Sequence, residues 1–97
     1  SIIAMPDGRL LCTYGYRRKP FGVRASISDD WGVTWRVNQE IIIRKNGGGG
    51  KGVDDGDLGY PISIVLRDGS IFTAYYLNTK GSDCFIAGSI FRIPQNN

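Results

Sequence analysis

The chain contains no histidine among its 97 residues. Without an imidazole, a Ser-His-Asp hydrolase, a Cys-His protease and a His-ligated zinc site are all excluded within it. There are two cysteines, Cys12 and Cys84, and neither belongs to a CxxC pair. Both lie inside apolar, strand-like stretches, so they are expected as buried free thiols rather than as a bridge or a metal site. No metal or other cofactor is expected. No apolar run approaches the roughly 18 residues of a membrane-spanning helix. A charged-then-apolar leader is missing too, since the sequence opens Ser1-Ile2-Ile3-Ala4-Met5, and a targeting segment is expected to be absent or to lie upstream. The length leaves room for one core, and residues 1–97 read as a single domain or a piece of one.

Charge of one sign is scarce outside one region. The net charge of +3 divides into eight basic and four acidic groups in residues 1–45, against four and five in residues 46–97. Most of the excess comes from Arg17, Arg18, Lys19 and Arg24. Such a cluster reads as a solvated loop or as a contact for an anionic ligand; neither nucleic acid nor a membrane is expected as a partner.

Apolar residues at helical spacing are also missing, whereas alternation of period two is plain. Val23, Ala25 and Ile27 alternate with Arg24, Ser26 and Ser28, and Ile62, Ile64 and Leu66 alternate with polar neighbours. Further β-branched and aromatic runs cover Ile2 to Met5, Arg9 to Tyr16, Thr34 to Val37, Ile41 to Ile43, Ser70 to Leu77 and Cys84 to Ile93. Asp7-Gly8 and Asp68-Gly69 stand between such runs, and glycine supplies the positive φ of a hairpin turn. The chain therefore reads as all-β.

Those two hairpins are copies. The stretch from Met5 to Tyr14 aligns without a gap on Leu66 to Tyr75, an offset of 61 residues. A third strand follows in each copy, with Val23-Arg24-Ala25 set against Phe85-Ile86-Ala87 at an offset of 62. The first copy is expected to continue into a fourth strand from Thr34 onward; the second stops at Pro94-Gln95-Asn96-Asn97 with three. A repeated unit of three or four meandering strands is the sequence sign of a propeller blade, and one blade cannot bury both of its faces alone. The expected organisation is a blade over 1–43, a linker loop over 44–56 and a second blade over 57–94 that lacks its outer strand. The glycine run at 47–50 does not fit a phosphate-binding loop, because Lys45 and Gly52 occupy positions where that pattern needs Gly and Ser or Thr.

The most specific local signal is Ser28-Asp29-Asp30-Trp31-Gly32-Val33-Thr34-Trp35, which matches S-x-D-x-G-x-T-W at every fixed position. It resembles the Asp-box, or BNR repeat, of sialidases and related propellers. Its parts suit a compact turn: Asp30 can accept from backbone N–H groups, Gly32 permits an unusual φ and Trp35 covers the hairpin. Ser28, Asp30, Gly32, Thr34 and Trp35 are accordingly assigned a structural role, and Asp29 with Asp30 is not read as a catalytic pair.

Together with Tyr14-Gly15-Tyr16-Arg17, Pro20 to Ala25, Asp57 to Pro61, Leu66 to Gly69 and Ile86 to Ile90, this stretch resembles the C-terminal two blades of bacterial sialidase-like glycoside hydrolases. The resemblance implies a six-bladed propeller that handles glycans and hydrolyses terminal, acidic sugars, in a secreted or periplasmic setting. It implies that two blades alone are inactive, needing either N-terminal blades or self-assembly, with three copies completing six. In such enzymes a tyrosine nucleophile begins the innermost strand of the last blade, eight residues before an Asp-Gly turn, and Tyr60 stands eight residues before Asp68. A phenol with a pKa near 10 needs a carboxylate to take its proton and cations to favour the phenolate. By the same resemblance Arg17 and Arg24 face the acidic sugar, their planar forks suited to a carboxylate, with Asp57 beside Tyr60 as a further substrate contact. The alternative is a non-catalytic glycan-binding or protein-interaction propeller, since fold does not fix function.

Overall fold

The computed structural model describes residues 1–16, 22–45, 59–77 and 85–93. The molecule is all-β. Strands β1 (Ile2–Ala4), β2 (Leu10–Tyr16), β3 (Gly22–Ser28) and β4 (Ile41–Lys45) form one antiparallel sheet in that order. Strands β5 (Gly59–Val65), β6 (Ile71–Leu77) and β7 (Phe85–Phe91) form a second. Both are open meanders and neither closes into a barrel.

The two Asp-Gly turns are built alike. Met5 N donates to Arg9 O at 2.7 Å and Gly8 N to Met5 O at 3.0 Å, while Leu66 N donates to Ser70 O at 2.8 Å and Gly69 N to Leu66 O at 2.9 Å. Gly8 and Gly69 hold φ of +92° and +86°, a region that costs an L side chain strain. In each turn the aspartate side chain accepts from the backbone two residues on, Asp7 from Arg9 N at 3.1 Å and Asp68 from Ser70 N at 3.0 Å.

The sheets stack face to face, and the register determines which faces meet. In the first sheet Leu11 pairs with Ile27, Thr13 with Ala25 and Gly15 with Val23. Leu11, Thr13, Val23, Ala25 and Ile27 are all buried against the second sheet. There, Ile71, Thr73, Tyr75 and Ser63 are buried in turn. A hydroxyl chain crosses the interface: Thr13 Oγ1 lies 3.0 Å from Ser63 Oγ, which lies 2.7 Å from Thr73 Oγ1.

These meeting faces are not equivalent. β2 and β6 correspond at an offset of 61, so the buried Leu11 corresponds to Phe72 and the buried Thr13 to Ala74, on the face of the second sheet turned outward. Buried Ile71, Thr73 and Tyr75 correspond to Leu10, Cys12 and Tyr14, on the outward face of the first. The sheets therefore follow one another head to tail, unlike the two halves of a symmetric sandwich. One register needs correction: β3 and β7 correspond at an offset of 63, since Leu11 pairs with Ile27 where Phe72 pairs with Ile90. The offset of 62 expected from the sequence would slip one residue and turn every β7 side chain to the wrong face.

The expected fourth strand from Thr34 also needs correction. Thr34 N and Oγ1 both donate to Asp30, and Val37 N and Gln39 N donate to Trp35 O and Arg36 O. Arg36 N still reaches Ile27 O of β3 at 2.9 Å, but beyond it Val37–Gln39 forms a 3₁₀ turn and the strand proper is β4, which runs past the expected boundary at residue 43 to Lys45. Most of the expected linker, 46–56, and Cys84 lie outside the described residues, while Cys12 is a half-buried free thiol.

Both Asp-Gly turns and the turn after Ser28 share one end of the stack. The strand termini Tyr16, Gly22 and Lys45 share the other, where Val23 packs with Tyr75. Gly59, Leu77 and Phe85 end the second sheet there as well.

Candidate functional site

The turn from Ser28 to Trp35 closes on itself through hydrogen bonds. Ser28 Oγ donates to Asp30 Oδ1 and accepts from Gly32 N, each at 2.8 Å. Asp30 also accepts from Thr34 N at 2.8 Å and from Thr34 Oγ1 at 2.5 Å. These donors, Thr34 first, lower the Asp30 carboxyl to a pKa of about 2. Gly32 holds φ of +94° with Leu10 and Trp35 against it. Asp29 is bound on both oxygens by Arg36, at 2.6 and 2.5 Å. Every acidic and hydroxyl group of the motif is thus engaged in the turn, an arrangement that fixes backbone and leaves no acid–base pair.

On the outward face of the first sheet, toward the opposite end, four side chains converge. Tyr14 and Arg24 are cross-strand partners, and Glu40 joins them from the residue before β4. Glu40 accepts from the Tyr14 hydroxyl through Oε2 and from Arg24 Nη1 at 3.1 Å through Oε1. The Arg24 guanidinium lies 3.5 Å from the Tyr16 ring centroid, within cation–π range. Burial, and then the hydrogen bond to Glu40, hold the Tyr14 phenol well above its ordinary pKa, so it stays a neutral donor rather than a nucleophile. Arg24 is half-buried and neutralised by Glu40, a brace between β3 and the start of β4. Glu40 lies far from Tyr14 and Arg24 in sequence and no motif announces it, so sequence reasoning missed it; Tyr14 and Tyr16 were within reach as the alternating outward residues of β2.

Tyr60 stands on the other outward face. It holds φ of +44°, one of two non-glycine residues with positive φ among the described residues, the other being Trp31 in the turn. A bulky side chain in this region carries strain that the surroundings must sustain. Pro61 beside it is buried, and a register irregularity separates Gly59 from Ile62. Tyr60 is 75% exposed, and its ring stacks on Tyr76 with centroids 5.6 Å apart. Tyr76 belongs to the face of β6 turned away from the first sheet, whereas Arg24 belongs to the face of β3 turned away from the second. The structure therefore does not bring Arg24 and Tyr60 together within one pair of sheets. Arg17 and Asp57 lie outside the described residues.

No family model and no curated protein matches the chain. It is similar to a solved structure, a protein of unknown function from Dyadobacter fermentans, at 37% identity and a TM-score of 0.75 over 96% of its own length. The chain spans 24% of that protein's length, so the likeness concerns the architecture of this stretch within a much longer polypeptide.

Proposed function

We propose that the chain is part of a sialidase-like β-propeller glycosidase that hydrolyses terminal, acidic sugars of glycans, with Tyr60 at the sugar site. The head-to-tail order of the sheets supports a propeller, because only a repeated face-to-back contact leads on to further blades around an axis. The closed turn from Ser28 to Trp35 supports the Asp-box reading. The observation that carries the functional proposal is Tyr60 itself: exposed, held at a strained φ, and beginning a strand at the end of the stack opposite the tight turns. Strain retained at an exposed aromatic residue marks a position kept for something other than packing.

A second reading, a non-catalytic glycan-binding propeller, is favoured by the Tyr60–Tyr76 stack, since exposed aromatic faces suit the apolar face of a sugar ring. Two substitutions in the full-length protein separate the readings. A nucleophile needs the hydroxyl, so Tyr60→Phe abolishes hydrolysis of a fluorogenic sialoside while glycan binding persists. A platform needs only the ring, so Tyr60→Phe leaves binding intact and Tyr60→Ala removes it. Unchanged turnover in Tyr60→Phe removes Tyr60 from the chemistry, and unchanged binding in Tyr60→Ala removes it from the site.

A further inference from the structure

The second sheet leaves uncovered the same face that the first sheet buries. At offsets of 61 and 63, buried Leu11, Val23 and Ile27 correspond to Phe72, Ile86 and Ile90. Ile86 is 83% exposed and Ile90 66%, and beside them Ile62 and Ile64 are exposed as well. Gly88, at the place of Ala25, leaves room for the Phe72 ring, whose Cε1 a Cβ there would meet at 2.7 Å. Among the described residues the charge on this side is Arg92, at the end of β7, and it is paired with Asp68 at 3.1 Å; a contiguous apolar surface of this kind marks an interaction site.

We propose that this face docks a second copy of the chain, by the outward face of that copy's first sheet. Such docking continues an interface already present within the chain. Within the chain, the Leu11–Val23–Ile27 face sits on Ile71, Thr73, Tyr75 and Ser63. The residues that correspond to these are Leu10, Cys12, Tyr14 and Ile2, and all four lie on the outward face of the first sheet. Each copy thus carries an unfilled face and the counterpart that fills it. The chief difference in the counterpart is Arg24, which Glu40 neutralises in place. A face-to-back contact is heterologous, so identical copies add in one direction and close into a ring where the rotation permits. The inference rests on the order of the sheets and is independent of the glycan reading.

The contact can be located. Thr13 faces Ser63 across the internal interface, with side-chain oxygens 3.0 Å apart. Their counterparts in the docked pair are Ala74 of one copy and Ile2 of the next. In a Cys12→Ser, Cys84→Ser background, chains carrying Ile2→Cys and chains carrying Ala74→Cys form a mixed disulfide when combined and oxidised, and neither crosslinks with itself. The double variant gives a ladder of covalent oligomers. Sedimentation velocity of the unmodified chain shows a mass rising with concentration, and Ile90→Lys weakens association by more than about tenfold while near-UV circular dichroism is unchanged. Crosslinking of like with like, or a monomer of 10.7 kDa at high concentration, overturns the proposal; the monomer would assign the face to a further sheet of a longer polypeptide.

Discussion

Aspartates close the turns, and hydrogen bonds to them favour their ionised form. Asp30 is lowered to about 2 by Thr34 and Ser28, and Asp7 and Asp68 are lowered by hydrogen bonds from Arg9 and Ser70. A carboxyl whose folded pKa lies below its unfolded value of 3.8 contributes stability that is present above that value and lost as pH falls through the folded pKa. Stability measured by urea titration should therefore decline from about pH 4 toward pH 2. Asp30→Asn should lower stability at neutral pH and flatten that acid limb; an unaltered limb would show that the turn does not depend on the charge. Tyr14 offers a second residue-level test. Its counterpart Tyr75 lies 2.6 Å from Ser89 Oγ, whereas Tyr14 is drawn to Glu40 and its corresponding serine, Ser26, is buried with Oγ unpartnered. Glu40→Ala should return the Tyr14 hydroxyl to Ser26 and bring the phenol pKa part of the way down, burial sustaining the rest. Titration of ¹³C-labelled tyrosine by NMR reads this directly, and an unchanged pKa would contradict the assignment of Glu40.

At the scale of elements, the joint between the sheets is a run of three hydroxyls rather than apolar packing alone. Ser63 occupies its centre, so Ser63→Ala leaves Thr13 and Thr73 without their common partner and should cost about 1–3 kcal/mol in equilibrium unfolding. A change near zero would mean that the hydroxyls are satisfied without it. The strands themselves were legible because alternation and Asp-Gly turns are local signals: β2 and β6 are recoverable from Leu10 to Tyr16 and Ile71 to Leu77 alone. What failed was non-local. Thr34 and Trp35 have strand-forming side chains, yet the Asp30 carboxylate claims the Thr34 backbone and hydroxyl, and the turn overrides propensity. The one-residue slip between β3 and β7 arose because Ala25 matches Ala87 as well as it matches Gly88 by type, and only cross-strand pairing decides between them. Glu40 escaped notice for a similar reason, since it meets Tyr14 and Arg24 only once the turn has folded back.

Across the whole molecule, the face-to-back order of the two sheets accounts for the buried core and for the exposed isoleucines. Ile27 and Ile90 occupy corresponding places, 7% and 66% exposed, one covered by the second sheet and the other open. Each stands across from the corresponding residue of its hairpin, Leu11 for Ile27 and Phe72 for Ile90. The proposed docking face depends on this order, because a symmetric sandwich would offer no face-to-back contact to extend. The most direct measurement compares Ile27→Lys with Ile90→Lys in the same chain, by near-UV circular dichroism and sedimentation velocity. Ile27→Lys should lose the tertiary signal, while Ile90→Lys should stay folded and remain monomeric at concentrations where the unmodified chain associates. Equal unfolding by both substitutions, or equal association of Ile90→Lys and the unmodified chain, would contradict the head-to-tail arrangement.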